Sequence, residues 1–234
     1  MIKSLASIKN INEASLMINY DFDIIDIKNI DDGPLGYAGN KEIELISNKL
    51  NNRLLSVTAG NSNHPNKDII HERIEFLNSL NIDYIKIGIF DMNHLEMHSI
   101  FLKKAFHLNI KTVGVLFADN NIDINTIKSI CKLKYDGLMI DTVKKSSKST
   151  LAIMDNNLIN FFVSECHREK KFCGLSGSMQ QSNIEHAMNF KSDFIGFRGA
   201  LCSSNSRDNI DLIQCQNIVK TIKDINQKMY QEAV

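Results

Sequence analysis

Neither sign of charge prevails in this sequence, whose 234 residues carry 27 Lys plus Arg against 27 Asp plus Glu. There is no basic field to gather nucleic acid and no acidic tail. The same neutrality leaves self-association into a homo-oligomer open. No segment reaches the roughly 18 uninterrupted apolar residues of a membrane span. Residues 1–20 lack the apolar run and small-residue cleavage site of a secretory signal. A cytoplasmic chain with no membrane partner is the expectation. Cys131, Cys166, Cys173, Cys202 and Cys215 form no CxxC pair, so they read as reduced structural thiols. The seven histidines show no HExxH spacing, and for His94 and His98, which share a helix face, surface placement is the simpler reading. Neither a Walker loop nor a dinucleotide fingerprint is present, Gly33-Pro34-Leu35-Gly36 included. No metal and no cofactor are expected.

What the chain does have is alternation. Short apolar runs at 3–7, 23–28, 54–58, 83–87, 110–116, 136–140, 172–175 and 193–197 read as strands. Helical spacing fills the intervals: a helix capped by Asn10 or Asn12, then 42–50, 68–80, 92–107, 122–133, and 151–170 with a break near Asp155 and Asn156. A further helix ends near Phe190, and 208–229 closes the chain. Runs such as 23–27, 113–116 and 138–140 suit strands covered on both faces. Eight strand–helix units with no linker predict a single (β/α)8 TIM barrel over 1–234. An open doubly wound sheet would leave edges unprotected and the count of eight unexplained.

In such a barrel, chemistry collects at the C-terminal ends of the strands. Lys28, Lys86, Asp141 and Lys145 fall at or beyond such ends. Asp26 and Lys28 are two apart, so they leave one side of an extended chain. They can orient one another for catalysis or form a structural ion pair. Lys86 lies among Tyr84, Ile85, Ile87 and Ile89, where desolvation would favour a neutral amine able to attack a carbonyl or accept a proton. Asp141 can hold an ammonium or cap the next turn. Lys144 and Lys145 are not separable at this level. Several amines among carboxylates suit imine or enolate chemistry. The substrate's phosphate would be held by Ser176, Gly177 and Ser178 with Arg198, Gly199 and Ala200, through loops and a helix N-terminus. Arg198 has a second reading, as partner of a structural carboxylate, and Arg207 can join the anion site or belong to a polar turn.

These residues, in this order, resemble the (5-formylfuran-3-yl)methyl phosphate synthase family. The likeness is clearest in Asp23-Ile24-Ile25-Asp26-Ile27-Lys28-Asn29 with Gly33, Leu35 and Gly36, and in Asp83-Tyr84-Ile85-Lys86-Ile87-Gly88. It continues in Asp141-Thr142 with Lys145, in Ser176-Gly177-Ser178, and in Gly196-Phe197-Arg198-Gly199-Ala200-Leu201-Cys202. The resemblance implies a barrel lyase that joins two glyceraldehyde 3-phosphate molecules into a furan aldehyde phosphate, with loss of phosphate and water, in methanofuran biosynthesis. It implies Lys28 as the Schiff-base lysine, Lys86 as proton acceptor, and Asp26, Asp141 and Lys145 in support. The chain departs from the family at Gly60-Asn61, where relatives carry Gly-Asp, and at 117–121, where they carry a His-Arg pair. Two competing readings are a sugar-phosphate decarboxylase or epimerase, suggested by Asp26, Lys28 and Asp31, and a binding barrel without catalysis.

Overall fold

In the computed structural model, which describes residues 1–144, 148–203 and 207–232, eight parallel strands close into a ring in chain order. They are β1 (Lys3–Ile8), β2 (Ile24–Ile27), β3 (Leu54–Thr58), β4 (Tyr84–Gly88), β5 (Lys111–Phe117), β6 (Gly137–Asp141), β7 (Phe172–Leu175) and β8 (Phe194–Phe197). The pairing of β1 with β8, Leu5 against Gly196, closes the (β/α)8 barrel. Around it lie α1 (Ile11–Met17), α2 (Asn40–Lys49), α3 (Lys67–Ser79), α4 (Leu95–Ala105), α5 (Ile124–Cys131), α6 (Thr150–Ile153), α7 (Asn156–Arg168), α8 (Ile184–Asn189) and α9 (Leu212–Glu232). Among the described residues, no helix is long and apolar enough to cross a membrane.

Local chemistry sets the helix ends. The Asn10 side chain accepts from the Glu13 N–H and starts α1, and Asp123 does the same for α5 through Thr126. The expected break near Asp155 separates α6 from α7, with the Asp155 carboxylate capping the latter. The last helix begins later than its periodicity suggests. Ile210 bridges to Cys202, and the Asp211 carboxylate accepts from the N–H groups of Ile213 and Gln214, so the cap falls there.

Alternation within each strand sends side chains to two cores. Outward residues such as Ile25, Ile27, Val57, Ile85 and Leu138 pack beneath the helices. Inward residues Leu5, Ile24, Val113, Met139 and Phe194 fill the barrel, joined by Tyr84 and Phe172. Four aspartates fasten the N-terminal rim by one repeated device. Asp23, Asp83, Asp136 and Asp193 each precede an even-numbered strand and accept from the backbone N–H of Ser4, Leu55, Thr112 and Cys173, the second residue of the preceding odd strand.

The opposite rim is half closed. Leu35, fully buried on the loop after β2, and the Phe90 ring both fold over Gly88. A Cβ at Gly88 would lie 2.3 Å from that ring and 2.8 Å from Leu35. Phe90 stacks on Phe117 with centroids 4.5 Å apart. These apolar groups cover the mouth above β3 to β5, and among the described residues it stays open above β6, β7, β8 and β1.

One surface expectation fails. His98 is 1% exposed, and its Nδ1 lies 2.5 Å from the hydroxyl of Tyr135. Its helix face packs against the barrel, and burial pushes its imidazolium down to about 4.

Candidate active site

A cavity of about 540 Å3 occupies the open half of the mouth, and Lys28, Lys86 and Asp141 line it together with Ser176, Gly177, Ser178, Arg198, Gly199 and Ala200. Asp26 lies just below. Lys86 sits in the middle of β4, a layer deeper than a strand end. Its Nζ is 2.6 Å from Asp26 Oδ2, and both side chains are buried. Ser7, inward on β1, donates to the same oxygen at 2.9 Å. Burial alone would raise the Asp26 carboxyl. The charges of Lys86 and Lys28 and the two hydrogen bonds outweigh it and hold the carboxyl below its ordinary value.

Lys28 follows β2 directly, its N–H bound to the Ile8 carbonyl, and its Nζ lies 3.4 Å from the Pro34 carbonyl. Burial pushes its ammonium from 10.5 down to about 8. The charges of Lys86 and Arg207 act in the same direction, while Asp141 and Asp26 oppose them. Lys28 is thus an amine that sheds its proton more readily than an ordinary lysine inside a cavity, with a second cation beneath it. This is the pattern of an activated nitrogen nucleophile. Asp141 ends β6 and accepts from the Thr142 N–H at 2.7 Å. It is a turn cap and also a charge facing Lys28. Lys145 lies outside the described residues.

The wall over β7 and β8 is built from the expected loops. Gly177 has a φ of +91°, and a Cβ there would sit 2.5 Å from Thr150 Oγ1 and 2.9 Å from the Thr142 nitrogen, so glycine alone fits. Ser176 Oγ is buried with no hydrogen-bond partner among the described residues, although it lines the cavity. Arg198 follows the second of its two readings. Its guanidinium makes a bidentate pair with Glu13 at 2.6 and 3.0 Å, and its remaining N–H groups go to the carbonyls of Ser7 and Arg207. All five donors of the side chain are engaged. Arg207 also lines this wall, and its Nε has no partner among the described residues.

Asn61 and the segment 117–121, where the sequence reading expects departures from the family, have structural work. Asn61 packs against Gly33 in the loop after β2. Asp119 accepts from the backbone N–H groups of Val143 and Lys144 and holds the start of the loop after Asp141. Sequence reasoning missed Ser7 and Glu13. Ser7 was detectable as the polar member of the inward series Lys3, Leu5, Ser7, whereas Glu13 reads as an ordinary first-turn acid of a helix.

A closed parallel barrel with amines and carboxylates converging in its C-terminal mouth defines a (β/α)8-barrel enzyme. The chain belongs to the family described as 4-HFC-P synthase, whose family model matches residues 4–221. Among proteins named (5-formylfuran-3-yl)methyl phosphate synthase, that of Methanococcus aeolicus is 29% identical over 231 residues, covering 94% of this chain and 97% of its own length. That of Methanosarcina barkeri is 28% identical over 226 residues, covering 89% and 94%. Among solved structures, 3-hexulose-6-phosphate synthase from Salmonella typhimurium has a TM-score of 0.67 at 12% identity, over 95% of this chain and 99% of that one, a likeness of fold alone.

Proposed function

We propose that this chain joins two glyceraldehyde 3-phosphate molecules into (5-formylfuran-3-yl)methyl phosphate, with loss of phosphate and water, through an imine on Lys28. One observation carries the reading: Lys28, with its ammonium pushed down to about 8, shares a cavity with Lys86 and Asp141 in a chain of this family. The neutral Lys28 amine adds to the aldehyde carbon of one triose phosphate and water leaves. The resulting iminium acidifies the neighbouring C–H bond and is itself the electron sink, so the chemistry asks for no separate cofactor.

The Lys86 Nζ lies 2.6 Å from Asp26 Oδ2. Lys86 passes its own proton to that carboxylate as it takes the one from carbon. The electron pair left behind either expels the phosphate or attacks the second aldehyde. Asp141, with Lys145 as the resemblance implies, serves the later dehydration and ring closure. Arg207, Ser176 and the loops at Gly177 and Gly199 hold the phosphates.

Borohydride reduction during turnover, followed by mass mapping, should show a triose adduct on Lys28. Furan absorbance and released phosphate should appear in the untreated reaction, and both should vanish in Lys28→Ala. A wild-type enzyme that forms the furan product without any trapped adduct would remove the imine, and one that forms no furan at all would remove the activity.

A further inference from the structure

We propose that His167, Cys173 and Asp193 form a binding site for a divalent cation of zinc-like ligand preference at the N-terminal rim of the barrel. Cys173 points outward from β7 toward the helix layer, His167 comes from the last turn of α7, and Asp193 stands one residue ahead of β8. His167 Nε2 is 3.1 Å from Asp193 Oδ2 and 3.7 Å from Cys173 Sγ, and the three ligand atoms lie within 4.8 Å of one another. Zinc bonds of about 2.0–2.3 Å at tetrahedral angles place nitrogen and oxygen about 3.3 Å apart, and nitrogen and sulfur about 3.6 Å apart. Two edges of a tetrahedral face therefore already have their dimensions, and the third is no longer than 4.8 Å.

Comparison within the molecule separates this cluster from plain strand fastening. Asp23, Asp83 and Asp136 fasten their strands against Ser4, Leu55 and Thr112, which offer a hydroxyl or nothing. At the fourth position, the same carboxylate meets a thiol and an imidazole. Cys173 is buried, while the side chains of His167 and Asp193 are 43% and 44% exposed, so the fourth coordination position faces water and gives the ion a way in. Ligands six and twenty residues apart match no metal-binding motif, which is why spacing gave no sign of the site. A bound ion would tie α7, β7 and β8 together on the rim opposite the reaction cavity, independently of the proposed activity.

The test is a Co2+ titration of the reduced, metal-stripped protein, followed by absorbance. The expected result is a thiolate-to-cobalt charge-transfer band that saturates at one equivalent, is displaced by Zn2+, and is accompanied by a higher melting temperature. Cys173→Ser should abolish the band. His167→Ala, at a half-exposed position, should weaken affinity at least about tenfold while keeping the fold. Absence of the band in the wild type, or a band of equal affinity in His167→Ala, overturns the site.

Discussion

The Lys86 ammonium reaches past β3 to Asp26 on β2, and the two meet at 2.6 Å beneath the cavity floor with neither side chain exposed. The coupling of so deep a pair shows when one member is lost. Lys86→Met leaves the Asp26 carboxylate without its nearest cation and should cost about 3–5 kcal/mol. The double variant Lys86→Met with Asp26→Leu should recover most of that loss, since a buried pair replaced by apolar groups is close to neutral. Urea unfolding of the two single variants and the double one checks this. Additive losses would mean that the two residues are not coupled.

Lys28 should be felt in both rate and stability. The rate of borohydride-trapped imine formation should climb with pH around 8 as the amine loses its proton. The unfolded amine keeps its proton to about 10.5, so between those values unfolding takes up a proton and the wild type gains stability as pH rises. Lys28→Met should therefore be more stable than wild type by about 3 kcal/mol at pH 7, with the advantage shrinking between pH 8 and 10.5. Denaturation midpoints of both proteins across pH 7–11 test the sign.

The two arginines of the cavity wall should separate by phenotype. Arg198→Lys breaks the bidentate pair with buried Glu13 and should lower stability by about 3 kcal/mol, because an ammonium cannot reproduce the fork. Arg207→Met should leave the melting temperature within a few degrees of wild type. It should raise KM for the phosphorylated substrate and weaken inhibition by inorganic phosphate, each about tenfold. Thermal melts beside steady-state kinetics distinguish the two, and an Arg207→Met enzyme with unchanged KM would remove it from phosphate binding.

His98 predicts the behaviour in mild acid. Its imidazolium is pushed from 6.5 down to about 4 by burial, so the unfolded chain takes up a proton that the folded one refuses. Stability should fall as pH drops from 6.5 through 4, by about 3 kcal/mol more in the wild type than in His98→Gln. Unfolding curves at intervals across that range measure the difference.

The barrel is legible because strands covered on both faces have to be apolar. Ile24, Ile25 and Ile27, or Leu138, Met139 and Ile140, leave few other readings. Lys28 and Lys86 stand out for the same reason, as charges set into apolar strands. What stays hidden depends on partners far away in the chain. Local pattern sends Arg198 to phosphate because its partner Glu13 is 185 residues away and carries no signature of the pairing. His98 shares a helix face with His94, but its fate is decided by Tyr135, 37 residues on. The ordering of the two lysines as nucleophile and base also escapes local reading. The low pKa of Lys28 arises from burial and from the charges of Lys86 on β4 and Arg207 beyond β8, against the opposing carboxylates of Asp26 and Asp141.

The four aspartates of the N-terminal rim divide the ring into quarters, each with its own fastening. Closure of the barrel is thereby decoupled from the loops that shape the cavity. Side chains such as Asn61 and Asp119 can be exchanged on the cavity rim without loosening these four fastenings below. The loops over the cavity are free to change shape while the wall supporting Lys28 and Lys86 keeps its form.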